Sequence, residues 1–113
     1  MVLYGNIKMI KIWVDDIRTP PSKEWTWVKS VNDAIAEIIY DELNVEYEGE
    51  ICLISLDHDA GDFACDGGDY IRLLDWLEET QRNYPIRIHS MNPVGVQNMR
   101  AIIQKNGWKE VIV

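Results

Sequence analysis

Hydrophobic and polar positions along the chain fall into two alternating rhythms. Residues 8–14, KMIKIWV, form a β-branched and aromatic run that stops at Asp15-Asp16 and reads as a buried strand. IRTPPSKE then breaks the chain with two prolines, and WTWVKS (25–30) reads as a short edge strand. From Ser30 the period changes to that of a helix. Val31, Ala34, Ile35, Ile38, Ile39 and Leu43 follow i, i+3, i+4 spacing, while Asn32, Asp33, Glu37, Asp41 and Glu42 take the other side. Ser30 with Asp33 three residues on is a variant of the capping box.

ICLISL (51–56) is apolar at nearly every residue, which suits a central parallel strand covered on both faces. A long, acidic, glycine-rich loop (57–68) leads to a helix from about Asp69 to Arg82 built on Ile71, Leu73, Leu74 and Leu77, and Pro85 enforces the stop. IRIHS (86–90) is another strand, NPVGVQNMRAIIQKNG a third helix with Pro93 in its first turn and Gly107 at its C-cap, and KEVIV (109–113) a last strand. Strands alternating with helices predict an α/β fold: an open parallel sheet wound by right-handed crossovers, with helices on both faces.

Composition narrows the function. The 113 residues, 47% of them hydrophobic, make one domain with a real core. Eleven basic against nineteen acidic residues give a net charge of −8, which argues against tracking a DNA duplex and leaves room for a small phosphorylated ligand beside a cation. Cys52 and Cys65 form no C-x-x-C pair and no disulfide framework, which points to a reducing, cytoplasmic setting. No segment approaches the roughly 20 apolar residues of a membrane span, and MVLYGNIK lacks the apolar length of a signal peptide. Residues 1–8 read as an extension, with Met9 as the natural start and 9–113 as the domain.

Ligands of open α/β sheets sit beyond the carboxyl ends of the strands. Those ends read Asp15-Asp16, Asp57-His58-Asp59 and His89-Ser90, which puts both histidines and four aspartates on one edge. A strand order of 2-1-3-4-5 sets the first, third and fourth strands side by side at spacings of about 4.8 Å, close enough to share one phosphate or metal. Because side chains alternate between faces, one residue of each doublet is expected to point into the crevice, and the sequence does not say which.

WVDDIRTPP, ISLDHD and HSMNPVGVQNM resemble the hallmark segments of the cyclic-phosphate processing receiver-like domain, a bacterial and phage family related to response-regulator receiver domains. The likeness runs from about Met9 to the end. It implies a receiver or flavodoxin-like sheet in the order 2-1-3-4-5 and a role in processing cyclic phosphate ends, in RNA repair or nucleotide signalling. It places Asp15 and Asp16 where receivers hold a divalent cation, Asp57 at the phosphoacceptor position and Ser90 at that of a hydroxyl. Two departures stand out. The lysine that receivers carry at the end of the last strand is absent, since Lys109 opens that strand, and the segment after the first strand is too short for the usual first helix. The sheet face that helix would cover is thus free for a protein partner.

Chemistry gives the residues roles. Opening a cyclic phosphodiester needs a base, an acid and positive charge on the phosphoryl oxygens. His58 and His89 can serve as base and acid, with Asp59 orienting a ring. Asp15, Asp16 and Asp57 would repel a phosphate unless they hold a cation, and an all-oxygen set suits Mg²⁺ or Mn²⁺, with Zn²⁺ an alternative if an imidazole joins. Arg18, Ser90, Asn92 as N-cap and Asn98 a turn later are the candidate phosphate contacts. The resulting expectation is a metal-dependent phosphoesterase for 2′,3′-cyclic nucleotides or RNA ends. Its rival is a non-catalytic module that binds a nucleotide or a protein.

Overall fold

The computed structural model describes residues 7–44, 46 and 48–112. Its sheet has two unlike faces, and alternation along β1 (Ile7–Val14) shows why. Ile10, Ile12 and Val14 are buried on one side, and Lys11 and Trp13 point to the other. β2 (Trp25–Val28), β3 (Glu48–Leu56) and β4 (Ile86–Ile88) complete a four-stranded parallel sheet in the order β2-β1-β3-β4. A bulge in β3 passes over Cys52, so that Ile10 pairs with Ile51 and Lys11 with Leu53. The extra residue lets Ile51, Ile54 and Leu56 all face the core despite their uneven spacing.

Among the described residues, which stop at 112, the fifth strand expected over 109–113 is reduced to one bridge, Glu110 beside Ile86. The Ile86 amide donates to the Lys109 carbonyl (2.9 Å) and the Val111 amide to the Ile86 carbonyl (2.7 Å). With only three residues in β4, little edge remains for a fifth strand to pair with.

Helices α1 (Val31–Leu43), α2 (Ile71–Glu79) and α3 (Pro93–Asn106) are delimited by local chemistry. The Ser30 hydroxyl accepts from the Asp33 amide (3.0 Å), Asn92 caps α3, and Gly107 closes it at φ 67°. α2 is shorter at both ends than the span 69–82. Gly67 and Gly68 hold positive φ before it, Asp69 turns back to accept from the Ala60 amide, and Gln81 reverses the chain at φ 57°.

Helices were expected on both faces; they form one layer. Each helical connection steps the same way across the sheet, from β2 past β1 to β3, then to β4, then to Glu110, and right-handed crossovers in one direction land on one side. Accordingly Ala34 and Ile38, Leu73, Leu74 and Leu77, and Met99 and Ile103 join a single core with Ile12, Val14, Ile54, Leu56 and Ile86. The step from β1 to β2 runs the opposite way and has no helix, as the short segment requires. Residues 15–24 cross the other face instead, where the Trp13 indole donates to the Arg18 carbonyl (2.8 Å) and Lys11 pairs with Glu24 (3.6 Å). Of the extension expected over 1–8, residues 1–6 lie outside the described residues, while Ile7 and Lys8 open β1. Among the described residues no helix is long and apolar enough to cross a membrane.

Candidate functional site

The ladder continues one step past the strands and aligns their ends. The Asp15 amide donates to Val28, that of Asp57 to Val14 and that of His89 to Leu56, at 3.0–3.2 Å. Asp15, Asp16 and Asp57 thereby gather, each offering one carboxylate oxygen within 4.8 Å of the others. Gly61, at φ 56°, sits so close to Asp16 that a Cβ there would overlap its Oδ2.

The three carboxylates are held unequally. Asp15 is buried, its Oδ1 accepts from the Ile17 and Arg18 amides (both 2.9 Å), and its Oδ2 faces His89 Nε2 (2.9 Å). Burial pushes its carboxyl up, but those donors together outweigh burial and hold it below the ordinary carboxylate value. Asp16 is pushed up, by burial first and then by the charges of Asp15 and Asp57. A divalent cation would relieve that crowding, so the donor set fits a hard, oxygen-loving ion.

His89 folds back over β3 towards β1. Its Nδ1 lies 2.8 Å from the Ser55 hydroxyl, and its ring stacks on Trp13 with centroids 3.8 Å apart and planes 3° from parallel. Burial lowers its pKa, against the opposing pull of Asp15, and favours the neutral ring. Both ring nitrogens are therefore engaged within the protein. His58 is arranged differently: Nδ1 lies 2.8 Å from Asp59 Oδ1, and Nε2 makes no hydrogen bond among the described residues. A Cβ on Gly95 would come within 2.5 Å of the His58 ring carbons, so the ring rests against the first turn of α3.

The remaining candidates surround this core unevenly. Arg18 reaches across to the His89 carbonyl (3.0 Å). Ser90 Oγ accepts from the Asn92 amide (3.1 Å), and Asn92 Oδ1 from the Gly95 amide (3.0 Å). With Pro93 lacking an N–H and Gly95 committed to the cap, the start of α3 offers few free donors for a phosphate. Asn98 is exposed on α3, and no hydrogen bond ties it to the site among the described residues. Sequence reasoning placed Trp13 near the crevice and Gly95 where a ligand could come close, but it missed Ser55, the stacking of Trp13 on His89 and the seating of His58 on Gly95. Ser55 could have been found two residues before Asp57, on the same strand face as that acid.

The chain matches the family described as cyclic-phosphate processing receiver domain over residues 10–105. It belongs to that family. The matched span contains every strand end and side chain of the site, from Asp15 to Asn98. No curated protein and no solved structure matches the chain. For this receiver domain, the family match and the acidic cluster are consistent with cyclic-phosphate processing at a site able to coordinate a metal.

Proposed function

We propose that this receiver domain is a metal-dependent phosphoesterase acting on cyclic phosphates, either 2′,3′-cyclic nucleotides or RNA ends, in RNA repair or nucleotide signalling. The observation that carries the reading is the convergence of Asp15, Asp16 and Asp57, with His58, the residue after Asp57, keeping one ring nitrogen open. The three carboxylates would hold Mg²⁺ or Mn²⁺, which when bound supplies the positive charge that phosphoryl oxygens need. Asp59 orients His58 by accepting its Nδ1 proton, leaving Nε2 as the base that takes a proton from water. Arg18 would contact phosphate through the guanidinium nitrogens beyond the one bonded to the His89 carbonyl, and Ser90, whose Oγ accepts from the Asn92 amide, keeps a hydroxyl proton it would donate. Asn92 serves this site by shaping the turn after Ser90; Asn98 would line its outer rim. His89 steadies Asp15.

One observation favours a second reading, a non-catalytic nucleotide- or protein-binding module. With His89 engaged at both nitrogens, the site holds one open imidazole and no evident acid partner for it. A protein would then dock on the sheet face that lacks helices. Phosphorus NMR of a 2′,3′-cyclic nucleotide with the protein, with and without Mg²⁺ or Mn²⁺, separates the two. A phosphomonoester product that disappears with chelator and with Asp57→Ala supports the enzyme. Binding without product across several cyclic phosphates and both metals would overturn it.

A further inference from the structure

We propose that Ser55 is a positioning residue: its hydroxyl pins the orientation of the His89 ring, whose other nitrogen holds Asp15, and so fixes the carboxylate that a cation would meet. The proposal rests on the reading of the acidic cluster as a cation site, but its first link stands on hydrogen-bond chemistry alone.

Ser55 is fully buried in a strand whose neighbouring positions are Ile54 and Leu56. A buried hydroxyl there requires a partner, and it has one in His89 Nδ1 at 2.8 Å. A neutral imidazole carries one donor and one acceptor, whereas an ionised carboxylate only accepts. The nitrogen facing Asp15 must therefore carry the hydrogen. Nδ1 is then the acceptor, and the serine hydroxyl is the donor that satisfies it. The direction of the whole chain, from Ser55 to His89 to Asp15, follows from the carboxylate at its end.

Geometry limits the alternatives. Trp13, the register partner of Ser55, lies flat against the ring and restricts its tilt. Asp15 Oδ1 is tied to two backbone amides, so the carboxylate has little freedom to rotate in search of another donor. Removing the Ser55 hydroxyl would leave Nδ1 a buried acceptor without a donor. The carboxylate would still require the hydrogen on Nε2, so the ring would keep its tautomer but lose the contact that fixes its tilt and rotation. Asp15 would keep a donor, but not one held in a fixed place. Partners of this kind, acting on metal ligands from behind, typically change metal affinity about 10–100-fold when removed.

The test uses the full chain with Ser55→Ala, Ser55→Thr, and Ser55→Cys, which nearly keeps the volume while weakening the donor. Nitrogen-15 resonances of the His89 ring, measured without metal, report how firmly the ring is held and whether Nδ1 is hydrogen-bonded, and calorimetry with Mn²⁺ reports affinity. The wild-type ring should give one sharp set with a bonded Nδ1. Ser55→Ala should give broadened resonances with an unbonded Nδ1 and bind Mn²⁺ about tenfold more weakly. Ser55→Thr should restore both readouts, and Ser55→Cys should fall between, which keeps the proposal testable if the alanine variant folds poorly. Ring resonances as sharp as wild type in folded Ser55→Ala or Ser55→Cys, with wild-type Mn²⁺ affinity, would overturn it. A wild-type chain that binds no Mn²⁺ overturns the cation reading and the part of this proposal that depends on it. The ring shifts would still decide the hold of Ser55 on His89.

Discussion

His58 leaves the end of β3 and settles on α3 with its side chain 16% exposed and one nitrogen open; His89 leaves the end of β4 and turns back over β3, 8% exposed, with both nitrogens taken. The two stand at equivalent places in a sequence reading, and the fold gives them opposite surroundings. What separates them is the surface each ring meets. Gly95 offers His58 a shallow resting place, whereas Trp13, Ser55 and Asp15 enclose His89. Position at a strand end thus brings a histidine to the site, and its packing decides whether a ring nitrogen is left for a ligand.

The sharpest way to test the contrast is to remove each ring. His58→Ala should cut turnover of a 2′,3′-cyclic nucleotide about 10²–10⁴-fold, as loss of a general base does, in an assay of released phosphomonoester. Its urea midpoint should barely move. His89→Ala should do the reverse in stability, losing about 2–4 kcal/mol in urea unfolding, because it opens a cavity over Trp13 and strips partners from buried Ser55 and Asp15. Equal stability losses for the two variants would erase the distinction.

A smaller effect is expected from Gly95→Ala. Alanine favours a helix over glycine by about 1 kcal/mol. Here, however, its methyl would collide with the His58 ring. The variant should fold at least nearly as well as wild type while His58 shifts, visible as changed ring resonances and about tenfold slower turnover if the base is displaced by an ångström or so. Unchanged ring signals would show that α3 does not position His58.

The smallest effect is in the pH dependence of stability. His89 and Asp15 both have depressed values in the fold, so each contributes stability that is present above its unfolded value, 6.5 and 3.8 respectively, and is lost as pH falls through the lower folded value. Glu37 works the other way. Burial first, then the hydrogen bond and charge of Asp41, push it up to about 7, so its contribution is present below 4.5 and lost as pH rises through 7. In a Glu37→Gln background, urea midpoints should fall steadily from pH 7.5 to pH 5, and adding His89→Gln should flatten that slope. A slope that survives His89→Gln would point to another titrating group.

Much of the fold was legible because single residues dictate local geometry. Ser30, Pro93 and Gly107 mark helix ends whose backbone groups have few other ways to be satisfied. The single helical layer was harder to read, since every helix has an apolar stripe and the stripe does not say which sheet face it meets. Direction of travel across the sheet decides that, and direction depends on strand order. The same limit applies to the site. Asp15, Asp16 and Asp57 could be found as strand-end acids, but Ser55 sits within ICLISL and looks like a minor interruption of the core. Its meaning lies in His89, 34 residues away, and only the neighbouring strand brings them together.

The lone bridge at Ile86 now acquires a mechanical sense. β4 is three residues long, and His89 follows its last residue at once. On its outer flank the strand is clasped through Lys109 and Val111. The C-terminal segment is therefore built like a splint: two backbone hydrogen bonds brace the outer flank of the short strand whose end carries His89, and through that ring Asp15.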